Sequence, residues 1–383
     1  MRVKKEPRSS TPGLGGYAHF MLKEIYEQPQ VVRRVIEESV TDSGEITLRN
    51  CALSAAEVRG LEKITLVASG SSRHAGMIGE FMLERMAGLP VEVDFASQYC
   101  YRDPVVAPHE LSIFISQSGT TIDTITALRV ARRKGSKSLA ICNVPDTPLT
   151  KEADATLLTH AGEEVAIAAT KSFTTQLTVL FLLSACIAQM RGRIDPAMEQ
   201  ALRELHRLPE HMKRALRTDA QCYRFAREFY RYNDFIYMGR DIDYPVALEG
   251  ALKLKEVSYI HAEGYPTGEL KHGPTALVNE QLPIVVLATR DRRDADSMLR
   301  YEKTVSNIRE FVHREIPVLA IVTEDDLELA KIAPRTIAVP EIPLLLQPLV
   351  EVIPLQFLAY HIAVLCGRNV DRPRHLSKSV VAE

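Results

Sequence analysis

Two short segments rich in hydroxyl side chains stand directly after apolar runs of this sequence. Residues 69–72 (Ser-Gly-Ser-Ser) follow ITLVA, and residues 116–121 (Ser-Gln-Ser-Gly-Thr-Thr) follow LSIFI. Each segment offers hydroxyls and a glycine that lets the backbone approach an anion. Neither has the lysine of a Walker loop or the GxGxxG spacing of a dinucleotide site, so a small phosphoester is expected rather than a nucleotide. The alternative is that these serines and threonines only cap helices.

A second group of chemically useful residues lies in the stretch ALEGALKLKEVSYIHAEG. If residues 246–260 form a helix, Glu249, Lys253 and Glu256 fall at positions i, i+4 and i+7 and form one charged stripe, while Leu248, Ala251 and Leu252 face a core. The alternative is a solvated ion-pair face, because Glu249 followed by Lys253 has the favourable i, i+4 orientation.

The next candidate is a histidine in a segment bounded by glycine and proline. His272 lies in GYPTGELKHGP, which we expect to be a loop that presents the imidazole. Loops often carry functional side chains on a rigid scaffold, although a single loop histidine can equally be incidental.

The C-terminal sequence DRPRHLSKSVVAE contains a lysine close to several cations. Arg372, Arg374 and His375 precede Lys378. Neighbouring cations disfavour an ammonium group and lower its pKa, which is what an amine nucleophile needs. The alternative is a frayed basic terminus.

The elements that must position these residues can be read from hydrophobic patterning. From residue 61 onward, short apolar runs alternate with amphipathic stretches, which predicts parallel sheets covered by helices. The pattern recurs: Gly239 follows a strand as Gly70 does, 169 positions later, and LPIVVLATR parallels LSIFISQSG. We therefore predict an α/β protein with two doubly wound parallel-sheet domains related by internal duplication.

The predicted organisation along the chain has six parts. A helical stretch interrupted by Pro29 follows the leader. The parts are a flexible leader at 1–16, an N-terminal helical segment at 17–54, a first domain with the anion loops at 55–194, connecting helices at 195–225, a second domain at 226–366 and a C-terminal tail at 367–383.

Composition excludes several classes of function. The 383 residues have a formal net charge of −2, which gives no electrostatic attraction to nucleic acid or to an anionic membrane. The longest apolar run, 177–187, is shorter than a membrane span, and no secretory signal is present, so we expect a soluble cytoplasmic protein. The six cysteines contain no CxxC pair, and we expect no metal site and no cofactor.

These stretches together resemble the isomerase half of glutamine–fructose-6-phosphate aminotransferase, which is built from two sugar isomerase (SIS) domains. The resemblance runs from Tyr17 to Glu383 and rests on long strings in a consistent order. They are MLKEIYEQP, SQSGTT, LAICNVP, ATKSFTTQLTVL, YPVALEGALKLKEVSYIHAE, GELKHGP, FLAYH and DRPRHLSKSVVAE.

The resemblance implies roles for individual residues. Glu256 is implied as the base that moves a proton between C1 and C2, His272 as the ring-opening residue supplied by the partner subunit of a homodimer, and Lys378 as the amine that forms a Schiff base with the sugar. The implied sugar-phosphate site consists of Ser71, Ser72, Ser116, Gln117, Ser118, Thr121, Ile167, Lys253 and Ser377.

Some positions depart from the family pattern. Residue 2 is Arg and the first cysteine is Cys51, so the N-terminal cysteine of the family's glutaminase domain has no counterpart here. Thr120 stands where the family usually has an acid, and Ser69 and Ala169 replace a cysteine and a serine. The chain is then a truncated form, a separately encoded subunit with a separate glutaminase, or a free-standing enzyme.

Four functions follow from the resemblance. The first is formation of glucosamine 6-phosphate from fructose 6-phosphate with ammonia from elsewhere. The second is the reverse reaction, deamination of glucosamine 6-phosphate, and the third is plain phosphosugar isomerisation. The fourth is a non-catalytic sugar-phosphate sensor, which would not need Glu256, His272 and Lys378 together.

Overall fold

The computed structural model describes residues 13–41, 45–48 and 51–381. They divide into two compact units, each with one parallel sheet. The first unit contains residues 30–162, 172–207 and 377–383, and the second contains residues 1–29, 163–171 and 208–376, as far as these are described. Most of the predicted flexible leader, residues 1–12, lies outside the described residues.

The first unit is a five-stranded parallel sheet in the order β2-β1-β3-β4-β5. All seven residues of its central strand are buried, as expected for a strand covered on both faces. Its strands are β1 (Lys63–Ala68), β2 (Val91–Phe95), β3 (Glu110–Ser116), β4 (Lys137–Cys142) and β5 (Ala155–Leu158). Its helices are α2 (Ala55–Gly60), α3 (Gly70–Ala87), α4 (Ala96–Tyr99), α5 (Ile122–Arg133), α6 (Pro148–Glu152), α7 (Lys171–Met190) and α8 (Pro196–Leu205).

The second unit repeats this topology with a parallel sheet in the order β10-β9-β8-β6-β7. Its strands are β6 (Asp234–Gly239), β7 (His261–Pro266), β8 (Ile284–Ala288), β9 (Val318–Thr323) and β10 (Thr336–Val339). Its helices are α9 (Leu208–Ala215), α10 (Asp219–Phe229), α11 (Asp243–Ser258), α12 (Ala295–His313), α13 (Leu327–Ile332) and α14 (Pro348–Leu365). Two sheets with the same order confirm the predicted duplication of a doubly wound α/β domain.

The expected interruption of the first helix at Pro29 is wrong. Helix α1 (Phe20–Ser39) continues through Pro29. A proline inside a helix leaves the carbonyl four residues earlier without its N–H donor. Here the side-chain amide of Gln28 donates to that carbonyl, on Ile25, at 2.9 Å, so the backbone oxygen is satisfied and the helix persists.

Two helical segments are longer and more apolar than the sequence suggested. Residues 171–190 and 344–365 reach the length and hydropathy of a membrane-spanning helix, so the expectation that no segment does is wrong. In each, the most apolar window is largely buried inside the structure, at 89% and 83%. A helix that is apolar on all sides is expected at such buried positions.

The segment that carries His272 is more ordered than the predicted loop. Residues 264–266 complete strand β7, which pairs with β6 at the edge of the second sheet. Two short 3₁₀ turns follow, Glu269–His272 and Pro274–Leu277. The imidazole is therefore carried at the end of a 3₁₀ turn that begins three residues after an edge strand ends.

Candidate functional site

The two hydroxyl-rich segments of the first unit lie side by side at the carboxyl end of its parallel strands. Strands β1 and β3 are adjacent, and their carboxyl ends lead into residues 69–72 and 116–121. From β1 the chain continues through α3 to β2 on one side, and from β3 through α5 to β4 on the other. The strand order reverses between them, and this is where open α/β sheets bind ligands.

The first segment begins helix α3 without a side-chain cap at the helix N-terminus. Ser69 occupies the N-cap position, but its side chain makes no capping hydrogen bond, and Gly70 has a φ of +55°. Ser71 and Ser72 lie in the first turn, and Gln176 on α7 donates its side-chain amide to the Ser72 hydroxyl at 3.0 Å. The amide orients a hydroxyl at a helix N-terminus, where the exposed N–H groups favour an anion.

The second segment is a tight turn organised by Ser116. Its hydroxyl accepts a hydrogen bond from the Gly119 N–H at 3.1 Å and lies 3.2 Å from the Thr121 hydroxyl. Gly119 has a φ of +66°, and a Cβ there would lie 2.1 Å from the Thr147 hydroxyl oxygen, so only glycine fits. The Gln117 carbonyl accepts from the backbone of the next strand's loop, at the Asn143 N–H, at 3.2 Å.

The alternative that these residues only cap helices is wrong at both N-cap positions. Neither Ser69 at α3 nor Thr121 at α5 makes a side-chain capping bond. Elsewhere in the same unit Ser54 and Thr147 both form complete capping boxes. Helices α2 and α6 therefore have side-chain caps at their N-termini, whereas the two helix N-termini that follow β1 and β3 have none.

The tail is bonded to the second segment. The Ser379 hydroxyl lies 3.0 Å from the Ser118 hydroxyl and 2.9 Å from that of Thr120, and the Ile122 N–H donates to the Val380 carbonyl at 3.0 Å. The frayed-terminus alternative is therefore wrong for these residues.

Lys378 lies inside this bonded stretch. On its two sides, the Ser377 hydroxyl donates to the Ser379 carbonyl at 3.0 Å, which closes a turn around the lysine. Ser377 and Lys378 thus belong to the unit that carries Ser71, Ser72, Ser116, Gln117, Ser118 and Thr121.

In the second unit, Glu249, Lys253 and Glu256 form a buried ion cluster on helix α11. Lys253 Nζ lies 2.5 Å from Glu256 Oε2 and 3.4 Å from Glu249 Oε1. The Lys253 and Glu249 side chains have no solvent exposure, and that of Glu256 is 22% exposed. The predicted shared face is correct, and the alternative of a solvated ion-pair face is wrong.

Burial and charge act in opposite directions on this lysine. Burial alone lowers the pKa of Lys253, but the carboxylates of Glu256 and Glu249, with a further contribution from Glu164, raise it above its ordinary value. Lys253 is therefore a permanent cation at neutral pH. Glu256, with its partial exposure, is the member of the cluster that solvent reaches.

Ile167 and Glu164 lie in a segment that is held at two points. The Ile167 N–H donates to the Asp371 carbonyl at 3.0 Å, and Glu24 on helix α1 accepts from the Val165 N–H at 2.5 Å. The Asp371 carboxylate in turn accepts from the first two backbone N–H groups of α1, at 3.0 and 2.8 Å. One aspartate thus caps α1 and supports the segment 163–171.

His272 is exposed and stands apart from the ion cluster. Among the described residues none forms a hydrogen bond or an ion pair with its imidazole. The structure brings Lys253 and Glu256 together in the second unit but does not join His272 to them.

In the second unit, the corresponding region beyond the carboxyl ends of β6 and β8 is filled by side chains of that unit. Arg300 Nη1 lies 3.2 Å from Asp243 Oδ1, and Arg300 Nη2 donates to Gln347 Oε1 at 2.6 Å. Thr289, the residue that follows β8, donates its hydroxyl hydrogen to Glu351. Burial raises the pKa of Asp243 even though Arg300 opposes the shift. Arg300 and the carboxylates around it therefore occupy the part of the second sheet that corresponds to the hydroxyl-rich part of the first.

Three supporting residues were not predicted from the sequence: Gln176, Glu164 and Ser379. Gln176 could have been noticed, because it is an amide at the start of the long apolar run of α7. Glu164 and Ser379 carry no comparable signal, since their partners are distant in sequence.

Comparisons with known proteins agree with this geometry. Residues 58–185 and 228–366 each match the SIS domain family. The chain is 46% identical over 385 residues to a glutamine–fructose-6-phosphate aminotransferase (isomerizing) of Symbiobacterium thermophilum, and 46% identical over 372 residues to that of Thermus thermophilus. The alignments cover 100% and 96% of this chain but 62% and 60% of the relatives, so the chain spans about three fifths of their length.

A solved structure shows the same architecture. The C-terminal domain of glucosamine-fructose-6-phosphate aminotransferase from Francisella tularensis superposes with a TM-score of 0.88 at 38% identity. The match covers 95% of this chain and 100% of that domain. The chain therefore belongs to the SIS domain family, with two SIS domains in tandem, and is similar along its length to the C-terminal domain of these aminotransferases.

Proposed function

We propose that this chain converts fructose 6-phosphate to glucosamine 6-phosphate by ketose–aldose isomerisation with amination, using ammonia supplied from elsewhere. The observation that carries the proposal is the buried cluster on α11, in which the partly exposed carboxylate of Glu256 is held by the fully buried cation of Lys253. A sensor that only binds a sugar phosphate has no need to bury a cation beside an accessible carboxylate. The identity of the substrate is inferred from the names of the relatives described above.

Each part of the reaction has residues suited to it. The hydroxyls and open helix ends at residues 69–72 and 116–121 suit the phosphate group, whose binding energy positions the reacting end of the sugar. Lys378 attacks the C2 carbonyl of the open-chain ketose and releases water to give an imine. Ammonia adds to this imine carbon and releases the lysine as a free amine, which leaves an imine between C2 and the nitrogen of ammonia. Glu256 then removes a proton from C1 and returns it at C2, while the proton of the C1 hydroxyl passes to the nitrogen, and the products are an aldehyde at C1 and an amine at C2.

His272 is proposed as the residue that opens the sugar ring, in a homodimer where it acts on the partner's substrate. Its exposure supports this role, because an imidazole without a bond to the described residues of its own chain is available to a second copy. An imidazole can both donate and accept a proton, which suits proton transfer to a ring oxygen.

The direct test is incubation of the pure protein with fructose 6-phosphate, first with an ammonium salt and then with glutamine. Glucosamine 6-phosphate formed with ammonium supports the proposal. Glucose 6-phosphate as the product in both tubes would show plain isomerisation. Much faster release of ammonia from added glucosamine 6-phosphate would show a deaminase, and saturable sugar-phosphate binding without any product would show a sensor.

One variant and one trapping experiment test the roles assigned to Glu256 and Lys378. Glu256→Gln should abolish turnover and leave sugar-phosphate binding nearly intact, because only transition-state chemistry is lost. Lys255→Met, an exposed lysine on the same helix, is the matched control and should turn over normally. Borohydride reduction with fructose 6-phosphate present should attach the sugar to Lys378. Full activity of Glu256→Gln, or no adduct on Lys378, would contradict the respective role.

A further inference from the structure

Three hydroxyl groups meet where the tail is bonded to the turn after β3. The Ser118 hydroxyl accepts from that of Thr120 at 3.0 Å and from the Thr120 N–H at 3.2 Å. The Ser379 hydroxyl lies 3.0 Å from Ser118 and 2.9 Å from Thr120, so each side of the triangle is within hydrogen-bonding distance.

The hydrogen atoms of this triangle can be counted. Each hydroxyl has one proton to donate and two lone pairs. Since Thr120 donates to Ser118, the remaining two sides are satisfied when Ser118 donates to Ser379 and Ser379 donates to Thr120. All three protons are then used in a ring, and loss of any one hydroxyl breaks two of its three bonds.

A second bond fixes the direction of the tail. Val380 accepts from the Ile122 N–H, one of the first N–H groups of α5. Ser377 folds back onto the Ser379 carbonyl, so Lys378 lies between a closed turn and the bonded residue that follows it. The backbone of Lys378 is thereby set in register with the turn that carries Ser116 and Ser118.

We propose that Thr120 and Ser379 are positioning residues for Lys378, which they hold in register with the phosphate-binding turn. The inference rests on the proposed function and adds to it two residues that do not touch the reacting atoms.

The test compares Thr120→Val, Thr120→Ser, Ser379→Ala and the double variant Thr120→Val/Ser379→Ala. At saturating fructose 6-phosphate, Thr120→Val should lower kcat and the rate of borohydride trapping at Lys378 about fivefold, with KM changed less than twofold, since the hydroxyls proposed to hold phosphate remain. Thr120→Ser should restore both rates. The double variant should be no worse than Ser379→Ala, because the two residues act through one contact.

Controls separate this inference from the proposed function. Thr156→Val removes a threonine hydroxyl from the same unit outside the turn and should leave both rates unchanged. Hydrogen exchange without substrate supplies a readout that needs no activity: the Ile122 amide should exchange faster in Thr120→Val and at the wild-type rate in Thr120→Ser. An inactive wild-type protein would overturn the proposed function. The hydrogen exchange rate of the Ile122 amide would still test whether Thr120 and Ser379 hold the tail in place. Equal exchange in wild type and Thr120→Val, or additive losses in the double variant, would overturn the inference.

Discussion

Replacement of Lys253 by methionine tests whether the ion cluster on α11 is as strongly coupled as its geometry indicates. Lys253 Nζ lies 2.5 Å from Glu256 and 3.4 Å from Glu249, with no solvent exposure of its side chain. Methionine nearly preserves the length and volume of the lysine, so the cavity contribution is small. The change therefore isolates the loss of one buried positive charge between two carboxylates.

The magnitude follows from the cost of leaving a buried charge without its partner. Removal of one member of a buried ion pair typically costs about 3–5 kcal/mol. The 22% exposure of Glu256 lets water stabilise one of the two remaining carboxylates, so we expect a loss near the lower end, about 3 kcal/mol. The companion variant Lys253→Met/Glu249→Gln removes the fully buried carboxylate and should recover about half of that loss.

The assay is urea unfolding at pH 7.5, followed by circular dichroism, with hydrogen exchange of α11 to identify the transition that contains it. Lys255→Met is the matched control and should change the free energy of unfolding by less than about 0.5 kcal/mol. A change this small for Lys253→Met, or a double variant less stable than the single one, would refute the reasoning.

The pH dependence of this deficit has a definite sign. In wild type the pKa of Lys253 is raised, so its contribution is complete below the unfolded value of about 10.4 and is lost only as the pH rises through the folded pKa. In Lys253→Met the cation that favours the charged forms of the neighbouring carboxylates is gone. The stability deficit should therefore shrink as the pH falls from 8 to 5, and a constant deficit would contradict this account.

Three further predictions concern single sites. Burial, helped by the charge of Glu84, raises the pKa of Glu80 to about 7, so its charged form destabilises the folded protein at pH 8. Glu80→Gln should therefore raise the free energy of unfolding at pH 8 by about 1 kcal/mol, a value reduced for screening by solvent, and this gain should shrink toward pH 5. The same gain at every pH would contradict the prediction. Asp371→Ala removes the cap of α1 and should cost about 1–2 kcal/mol in urea unfolding, with a smaller loss for Asp371→Asn; equal losses would show that the charge is irrelevant. Burial raises the pKa of the Cys51 thiol to about 12, so iodoacetamide at pH 8 should label Cys51 in the denatured protein but not in the folded one. Mass spectrometry locates the labelled cysteine, and rapid labelling of Cys51 in the folded protein would contradict its burial.

The sequence by itself determined the architecture. Alternation of apolar runs with amphipathic stretches predicted helix-covered parallel sheets, and the recurrence of Gly70 as Gly239 predicted the duplication. Both inferences hold because strand burial and helix periodicity are recorded in neighbouring residues. The shared face of Glu249, Lys253 and Glu256 follows from the same local geometry.

Tertiary structure decided which of the predicted features are buried, bonded or open. Whether the charged face of α11 meets solvent depends on elements far away in sequence, and these exclude water from Lys253. The bonds of Ser379 to Ser118 and Thr120 span about 260 positions, so no local pattern could reveal them. Likewise, both sheets have the same strand order, but only packing shows that Arg300 and its carboxylates fill one edge while hydroxyls line the other. Spacing along a chain specifies a face, whereas the partner of that face is set by long-range packing.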